Sequence, residues 1–121
     1  MEKNGYFYYQ LGIKSLQDED VAQALNHFLF SIAIERHFKT YEKLYECCCM
    51  LDYKEEADTF IKLAYSENKK NDKVAFLYAK TLIDYGKLDE AETILLEILE
   101  RNKDYMPALK EYERLQEYKT D

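Results

Sequence analysis

Three alanines recur along the chain at almost equal intervals. Ala24, Ala57 and Ala91 are 33 and 34 residues apart, and each follows acidic residues of a polar break. Larger apolar residues follow four positions later, at Phe28, Ile61 and Leu95, and seven positions later the chain has Ser31, Ala64 and Ile98. A small residue lets two helices approach closely, and a period of this length is typical of stacked helix pairs. The chain is therefore predicted to be a helical repeat protein.

Apolar residues recur at helical spacing through almost the whole chain. With only three Gly and one Pro, there are few places for tight hairpin turns, which favours an all-α chain. Asn and Asp side chains at the polar breaks suit the first turn of a helix. We expect helices to start after Asn4, Asp18–Asp20, Asp52, Asn71 or Asp72, and Asp104. The seven predicted helices span residues 5–17, 21–35, 38–51, 54–68, 72–85, 88–101 and 105–118.

The motif residues resemble those of the tetratricopeptide repeat family. Tyr8, Leu11 and Gly12 followed by Ala24 and Phe28 are similar to one repeat, with Tyr8 where the family often has Trp. The segment YGKLDEA, residues 85–91, is similar to the turn between the two helices of a repeat. Departures from the pattern are Tyr45 at a usually small position, Asp52 or Tyr53 at the turn glycine, and Arg36, Lys70 and Lys103 near the closing proline.

This resemblance implies a right-handed superhelical α-solenoid built from antiparallel helix pairs. We predict one domain, residues 1–121, with repeats at about 5–37, 38–71 and 72–105. The capping helix is expected at about 105–119, because such arrays end in a helix with a polar outer face. Its apolar stripe is Ala108, Leu109, Tyr112 and Leu115 or Gln116.

In this family the first helix of each pair lines the inside of the superhelix. The resemblance therefore implies a binding groove formed by Tyr6, Tyr9, Ile13 and Leu16, then Glu42, Glu46, Cys49 and Met50, then Lys73, Phe76, Lys80 and Ile83, and finally Lys110 and Arg114. Aromatic and Met side chains in a concavity are typical anchors for a peptide or a helix. The alternative is that several of them pack within the array.

Some members of the family hold the C-terminal carboxylate of heat-shock chaperones through Lys, Asn and Arg side chains. The matching positions here are Tyr9, Ile13, Lys43, Lys73 and Leu77, of which only Lys73 agrees. A carboxylate needs several converging donors to replace its water. We therefore expect this groove to prefer apolar side chains.

All three cysteines of the chain are adjacent, at Cys47, Cys48 and Cys49. Consecutive helical residues point about 100° apart, so the three thiols cannot converge on one metal ion. We predict packing thiols and no metal site, with Cys48 between repeats and Cys49 toward the concave side. A reactive surface thiol and a metal site are the alternatives. The two histidines, His27 and His37, are expected to be partly exposed polar residues.

The sequence contains no recognisable catalytic pattern. The serines lack the Gly-flanked turn of a nucleophile, and there is no glycine-rich loop for a phosphate. The acid pairs Glu55-Glu56 and Asp89-Glu90 fall in first turns of predicted helices, where negative charge complements the helix dipole. We predict a protein that is not an enzyme and needs no cofactor.

Net charge and hydropathy indicate which partners and which cellular location to expect. A formal charge of −7 and a pI near 4.9 disfavour binding to nucleic acid. The N-terminus has no signal-peptide pattern, and no apolar run has the roughly 18 residues of a membrane span. We expect a cytoplasmic protein with reduced thiols and no membrane association.

Together these features predict a non-enzymatic module that binds a peptide or helical segment of a partner protein. The first alternative is a homodimer formed through the exposed aromatic residues of the first helix, Tyr6, Phe7, Tyr8 and Tyr9. Two lesser alternatives are a chaperone of type III secretion, which is similar in size and acidity, and a thiol or metal sensor that uses Cys47–Cys49.

Overall fold

The computed structural model describes residues 3–120; Met1, Glu2 and Asp121, the ends of the predicted domain, lie outside the described residues. Within that range the chain forms seven α-helices and no strand. They are α1 (Gly5–Gln17), α2 (Val21–Ile34), α3 (Phe38–Met50), α4 (Lys54–Glu67), α5 (Asp72–Asp84), α6 (Leu88–Arg101) and α7 (Met106–Thr120). Every predicted helix is present, and no end differs from its predicted position by more than two residues. None of the described helices is both long and apolar enough to cross a membrane.

Three helices begin at the polar residues expected to cap them. The side-chain oxygens of Asn4, Asp20 and Asn71 accept hydrogen bonds from the backbone N–H three residues on, at 2.9, 3.1 and 3.0 Å. These bonds satisfy amides that have no partner within the helix. The cap of α3 was not predicted: His37 accepts a hydrogen bond at Nδ1 from the backbone N–H of Lys39, at 3.2 Å.

The turn inside each helix pair contains one residue with a left-handed backbone. These residues are Glu19, Asp52 and Gly86, with φ of 62°, 62° and 76°, and they are 33 and 34 residues apart. They therefore follow the same period as the three alanines. Asp52 closes the turn after α3, whereas α4 begins two residues later, at Lys54. Only Gly86 adopts this conformation without the steric cost of a Cβ atom.

The described chain divides into two compact units, and the first ends at Glu67. In this unit α1 packs on α2, α2 on α3, and α3 on α4. The predicted seam is buried: Ala24 and Ala57 have 0% and 2% of their surface exposed, and Phe28 and Ile61 have none. The burial of these four residues therefore confirms the predicted seam in the first two repeats.

The second unit begins at Asn68 and contains α5, α6 and α7. Here α5 packs on α6, and α6 on α7. Ala91, Leu95 and Ile98 are fully buried, and α7 buries Ala108 and Leu115 from its predicted apolar stripe. Polar contacts tie α7 to α6, because Gln116 and Lys119 bind the Glu92 carboxylate at 2.6 and 2.9 Å. These two hydrogen bonds hold the pKa of Glu92 below its usual value.

Candidate functional site

A cleft of about 390 Å³ opens in the first unit, beside the N-terminal part of α1. Its walls come from α1, from the end of α2 and from the segment that leads into α3. The lining residues are Gly5, Tyr6, Tyr9, Gln10, Ser31, Glu35, His37, Lys39 and Thr40. Two of the predicted binding residues, Tyr6 and Tyr9, therefore share one cavity.

Close contacts between α1 and α2 form one side of this cleft. Ser31 donates a hydrogen bond through Oγ to the carbonyl oxygen of Gly5, at 2.7 Å, and both residues are buried. A Cβ atom at position 5 would lie only 3.1 Å from the Cβ of Glu35 and 3.3 Å from the Ser31 carbonyl oxygen. The absence of a side chain at Gly5 thus lets the end of α2 approach α1 closely. Tyr6 stands beside this contact with 68% of its surface exposed.

Tyr9 lies between the apolar core and the charged side chains of α3. Its ring centroid is 5.6 Å from that of Phe28. Burial raises the pKa of Tyr9, Lys43 acts in the opposite direction, and Glu42 and Glu46 raise it further. The Tyr9 hydroxyl is therefore a neutral hydrogen-bonding group at physiological pH, and the predicted residues Glu42 and Glu46 lie within its electrostatic environment.

The other binding residues predicted in the first unit lie outside this cleft. Ile13 and Leu16 are half-buried along α1. Cys49 and Met50 are exposed at the end of α3, and Met50 exposes 60% of its surface. None of the four is fully buried, and none lines the cleft.

A cluster of aromatic and basic side chains occupies α5 and the residue just before α7 in the second unit. The Phe76 ring meets the Tyr105 ring edge to face, with centroids 6.2 Å apart. The ammonium group of Lys80 lies 5.7 Å from the Phe76 centroid, within range of a cation–π contact. Burial raises the pKa of Tyr105, Asp72 adds to the rise, and Lys73 opposes it. Two predicted residues, Lys73 and Phe76, therefore lie near the partly buried Tyr105, and a third, Lys80, lies beside the Phe76 ring.

A second cleft, of about 480 Å³, also lies within the second unit, where the end of α5 faces α7. It brings together two predicted residues, Ile83 and Arg114. The remaining lining residues are Gly86, Leu88, Glu111, Leu115, Glu117 and Tyr118. Arg114 forms an ion pair with Glu111 at 3.4 Å on the same helix. Lys110, the other basic residue predicted on α7, is exposed and lines neither cleft.

The three adjacent thiols have different surroundings. Cys47 and Cys48 are buried, whereas Cys49 is exposed, and all three are free thiols. Burial raises the pKa of the Cys47 thiol to about 11, with smaller contributions from Cys48 and Glu46. Burial also raises the pKa of Cys48. A protonated, buried thiol is a poor nucleophile and a poor metal ligand. Among the described side chains, no group of three or more His, Cys, Asp or Glu residues is placed to hold a metal ion.

Sequence reasoning missed the residues that reach the first cleft from α2 and α3. Glu35, His37, Lys39 and Thr40 face the cavity only because the chain turns back between these two helices. No motif marks them, since they come from a short connection and the first turn of a helix. Tyr105 was missed for a similar reason: it precedes α7 and meets Phe76 only in the folded unit.

Comparison with known families supplies a match for the second half of the chain. Residues 55–115, just over half of the chain, match the profile of the family described as tetratricopeptide repeat. No curated protein sequence matches the chain.

Solved structures with a similar fold also exist. The first TPR of Spaghetti (RPAP3), bound to the HSP90 peptide SRMEEVD, is 14% identical with a TM-score of 0.77, and the match covers 98% of both chains. The second TPR domain of human RPAP3, in complex with the HSP70 peptide SGPTIEEVD, is 14% identical with a TM-score of 0.73, covering 93% of this chain and 98% of that one. YrrB, described as a TPR protein with an unusual peptide-binding site, is 19% identical with a TM-score of 0.79; 96% of this chain matches 60% of YrrB. At these identities the likeness shows the fold alone, and it confirms the predicted α-solenoid of helix pairs.

Proposed function

Because the chain belongs to the tetratricopeptide repeat family, we propose that it is a non-enzymatic protein-interaction module. In this proposal the first helix of each pair contributes to a surface that holds a peptide or a helical segment of a partner. Two proteins of similar fold are solved with short peptides bound. For this chain, the proposal of peptide binding rests on the residues of its own surface. A cytoplasmic location is part of the proposal, since an odd number of free thiols is typical of a reducing compartment.

The observation that carries this proposal is the cleft of the first unit, with Tyr6 and Tyr9 on its wall. Tyrosine offers a large contact area and a hydrogen-bonding hydroxyl at a low cost in side-chain entropy. Tyr9 is already held against Phe28, so its ring loses little further freedom on binding. An apolar side chain of the partner would enter this cleft, and Gln10, which is exposed, would hydrogen-bond its backbone.

The second unit supports the proposal with a different chemistry. The Phe76 and Tyr105 rings form an apolar floor, and Lys80 lies beside it. Such a surface suits an apolar side chain of the partner that is followed by an acidic or carbonyl group. Each unit therefore offers its own aromatic anchor point for a bound segment.

The preferred ligand differs from a chaperone C-terminal peptide. Clamping a terminal carboxylate needs several converging donors, and Tyr9, Ile13 and Leu77 supply no positive charge at the matching positions. Lys43, which stands at another of the matching positions, forms an ion pair with Glu46 at 3.3 Å. We expect the peptide SRMEEVD, which binds the RPAP3 domain, to bind this chain weakly or not at all.

A peptide library displayed on phage tests the proposal with a defined probe. The whole chain is used to select peptides, and the binding of the selected peptides is then measured by fluorescence anisotropy. We expect selected peptides with spaced aromatic or aliphatic residues, and a loss of affinity of at least tenfold in the variant Tyr9→Ala plus Phe76→Ala. The matched control is Tyr53→Ala, which removes an exposed tyrosine from the turn before α4.

Two results would contradict the assigned surface. One is unchanged affinity in the double variant, provided that circular dichroism shows it to be folded. The other is an equal loss in Tyr53→Ala, which would mean that the peptides contact exposed tyrosines without regard to position. Tight binding of SRMEEVD would disprove the expected preference for apolar anchors.

A further inference from the structure

The outer face of α2 has no charged side chain. The helix has the sequence VAQALNHFLFSIAI, without Asp, Glu, Lys or Arg. The corresponding helices α4 and α6 each contain six charged residues. At the positions that match Ile34 of α2 they have Glu67 and Arg101, and at those that match Ala33 they have Ser66 and Glu100. Of these three equivalent helices, α2 is the one without a charged side chain.

This uncharged face of α2 continues onto α1 through stacked aromatic rings. The Phe30 ring stacks on Tyr8 with centroids 5.5 Å apart, and Phe7 meets Tyr8 edge to face at 5.2 Å. Ile34 stands one helical turn beyond Phe30, and Leu29 borders the same surface. We call this surface the α2 face; it consists of Phe7, Tyr8, Leu29, Phe30, Ala33 and Ile34.

Four large apolar side chains of the α2 face are exposed. Phe30 and Ile34 expose 60% and 51% of their surfaces, and Phe7 and Leu29 expose 39% and 38%. By contrast, Tyr41 and Leu44, the equivalents of Tyr8 and Leu11 on α3, expose 6% and 0%. In the first unit α2 packs on α3, whereas no described helix covers the corresponding face of α1.

We propose that the α2 face is a homodimer interface, on which a second copy of this chain packs through the same residues around a two-fold axis. The exposed parts of its four large side chains amount to almost two whole side chains, roughly 300–450 Å². A standard interface buries roughly 800 Å² on each partner, somewhat more than half of it apolar. The α2 face alone supplies most of the apolar centre that a stable dimer needs.

Charge indicates the face on which two copies of this chain can approach each other. Each chain has a formal charge of −7, so two copies repel one another through most of their surfaces. The acidic first turns of α4 and α6 would face each other if those helices met their symmetry mates. In a two-fold contact the residues near the axis meet their own copies, so a charged side chain there would face a like charge, which the uncharged α2 face avoids. On the α2 face the nearby cation is Lys3, whose ammonium group lies 5.6 Å from the Phe7 ring.

Analytical ultracentrifugation across concentration tests the dimer. With the whole chain between about 1 μM and about 1 mM, a range that spans ordinary weak and moderate affinities, we expect the average mass to rise from one chain to two. The variant Phe30→Glu plus Ile34→Glu should remain a monomer, because it places four carboxylates in the apolar centre of the dimer. The matched control is Leu63→Glu, which changes the equivalent exposed residue of α4 and should leave the dimer intact.

A charge-pairing experiment identifies the two-fold arrangement. Phe30→Glu and Phe30→Lys should each be monomeric alone, and mixing them should restore a species of two chains. A chain that stays monomeric at every concentration, a dimer that survives the double substitution in a folded protein, or a mixture that does not associate would each overturn the proposal. Peptide binding through Tyr9 is measured separately, so failure of the dimer leaves that proposal standing.

Discussion

Gly12 on α1 lies directly against the ring of Phe28 on α2. A Cβ atom at position 12 would come within 2.5 Å of Phe28 Cε1, a distance that van der Waals repulsion forbids. Phe28 is fully buried and cannot move aside. The absence of one methyl group therefore sets how closely the first two helices approach.

The contact predicts that Gly12→Ala destabilises the protein. Overpacking a buried site costs about 1–3 kcal/mol, whereas replacing Gly by Ala within a helix favours the folded state by about 1 kcal/mol. We expect the free energy of unfolding to fall by about 1 kcal/mol, measured by urea denaturation. In a Phe28→Leu background the same substitution should stabilise the protein, because the smaller side chain leaves room for the methyl group. An equal loss in both backgrounds would contradict the close contact.

The left-handed residues of the turns predict opposite effects at two equivalent positions. Gly86→Ala should cost about 1–2 kcal/mol, and this cost is purely conformational because nothing lies within 4 Å of the added Cβ. Glu19→Gly should leave stability unchanged or raise it by up to about 1 kcal/mol, since the steric relief is offset by the greater freedom of glycine in the unfolded chain. Thermal denaturation of the two variants measures both changes in stability. Marked destabilisation by Glu19→Gly would mean that the Glu19 side chain stabilises the turn.

The buried Cys47 thiol predicts a loss of stability in alkaline solution. An unfolded thiol loses its proton near pH 9, whereas the folded protein keeps this proton until about pH 11. Because the folded state then binds more protons than the unfolded state, the free energy of unfolding falls as pH rises through this window. Cys47 alone contributes a fall of about 2–3 kcal/mol. The check is urea denaturation between pH 8 and pH 11, in which Cys47→Ala should show a flatter decline; identical slopes would show that Cys47 does not ionise in this way.

The exposure of Cys49 predicts one fast-reacting thiol in the native protein. Cys49 should react with dithionitrobenzoate within the native state, and Cys47 and Cys48 should react only when the protein unfolds. Cys49→Ser should remove the fast phase without affecting the slow one. Three thiols that react at one rate in native buffer would favour the thiol-sensor alternative.

Burial of Leu115 predicts that α7 stabilises the second unit. Leu115→Ala leaves a cavity against α6 and should reduce the free energy of unfolding by about 2–4 kcal/mol. Glu113, on the exposed side of the same helix, provides the control: Glu113→Ala should change stability by less than about 0.5 kcal/mol. A dye that binds exposed apolar surface should bind the Leu115→Ala variant more strongly if the cap loosens. Similar stabilities of the two variants would show that α7 is not a stabilising cap.

The sequence by itself determined the helices, their pairing and the repeat. Helical periodicity and capping are local properties, so the bounds of α1 to α7 could be predicted to within two residues. The period of Ala24, Ala57 and Ala91 identified the buried seam, because close packing of two helices requires small residues at fixed intervals. Tyr6, Tyr9 and Phe76 could be proposed as binding residues only through the resemblance to the tetratricopeptide repeat family, in which the first helix of each pair lines the groove.

Only the tertiary structure decided what surrounds those residues. The cleft beside Tyr9, the edge-to-face contact of Tyr105 with Phe76 and the stacking of Tyr8 on Phe30 each join residues that are 22 or more positions apart. The raised pKa of Cys47 likewise depends on burial, which helical periodicity indicates for a face of the helix but not for a single thiol. Local patterns specify how a helix turns, whereas distances, solvent exposure and the local dielectric arise only when separate helices pack together.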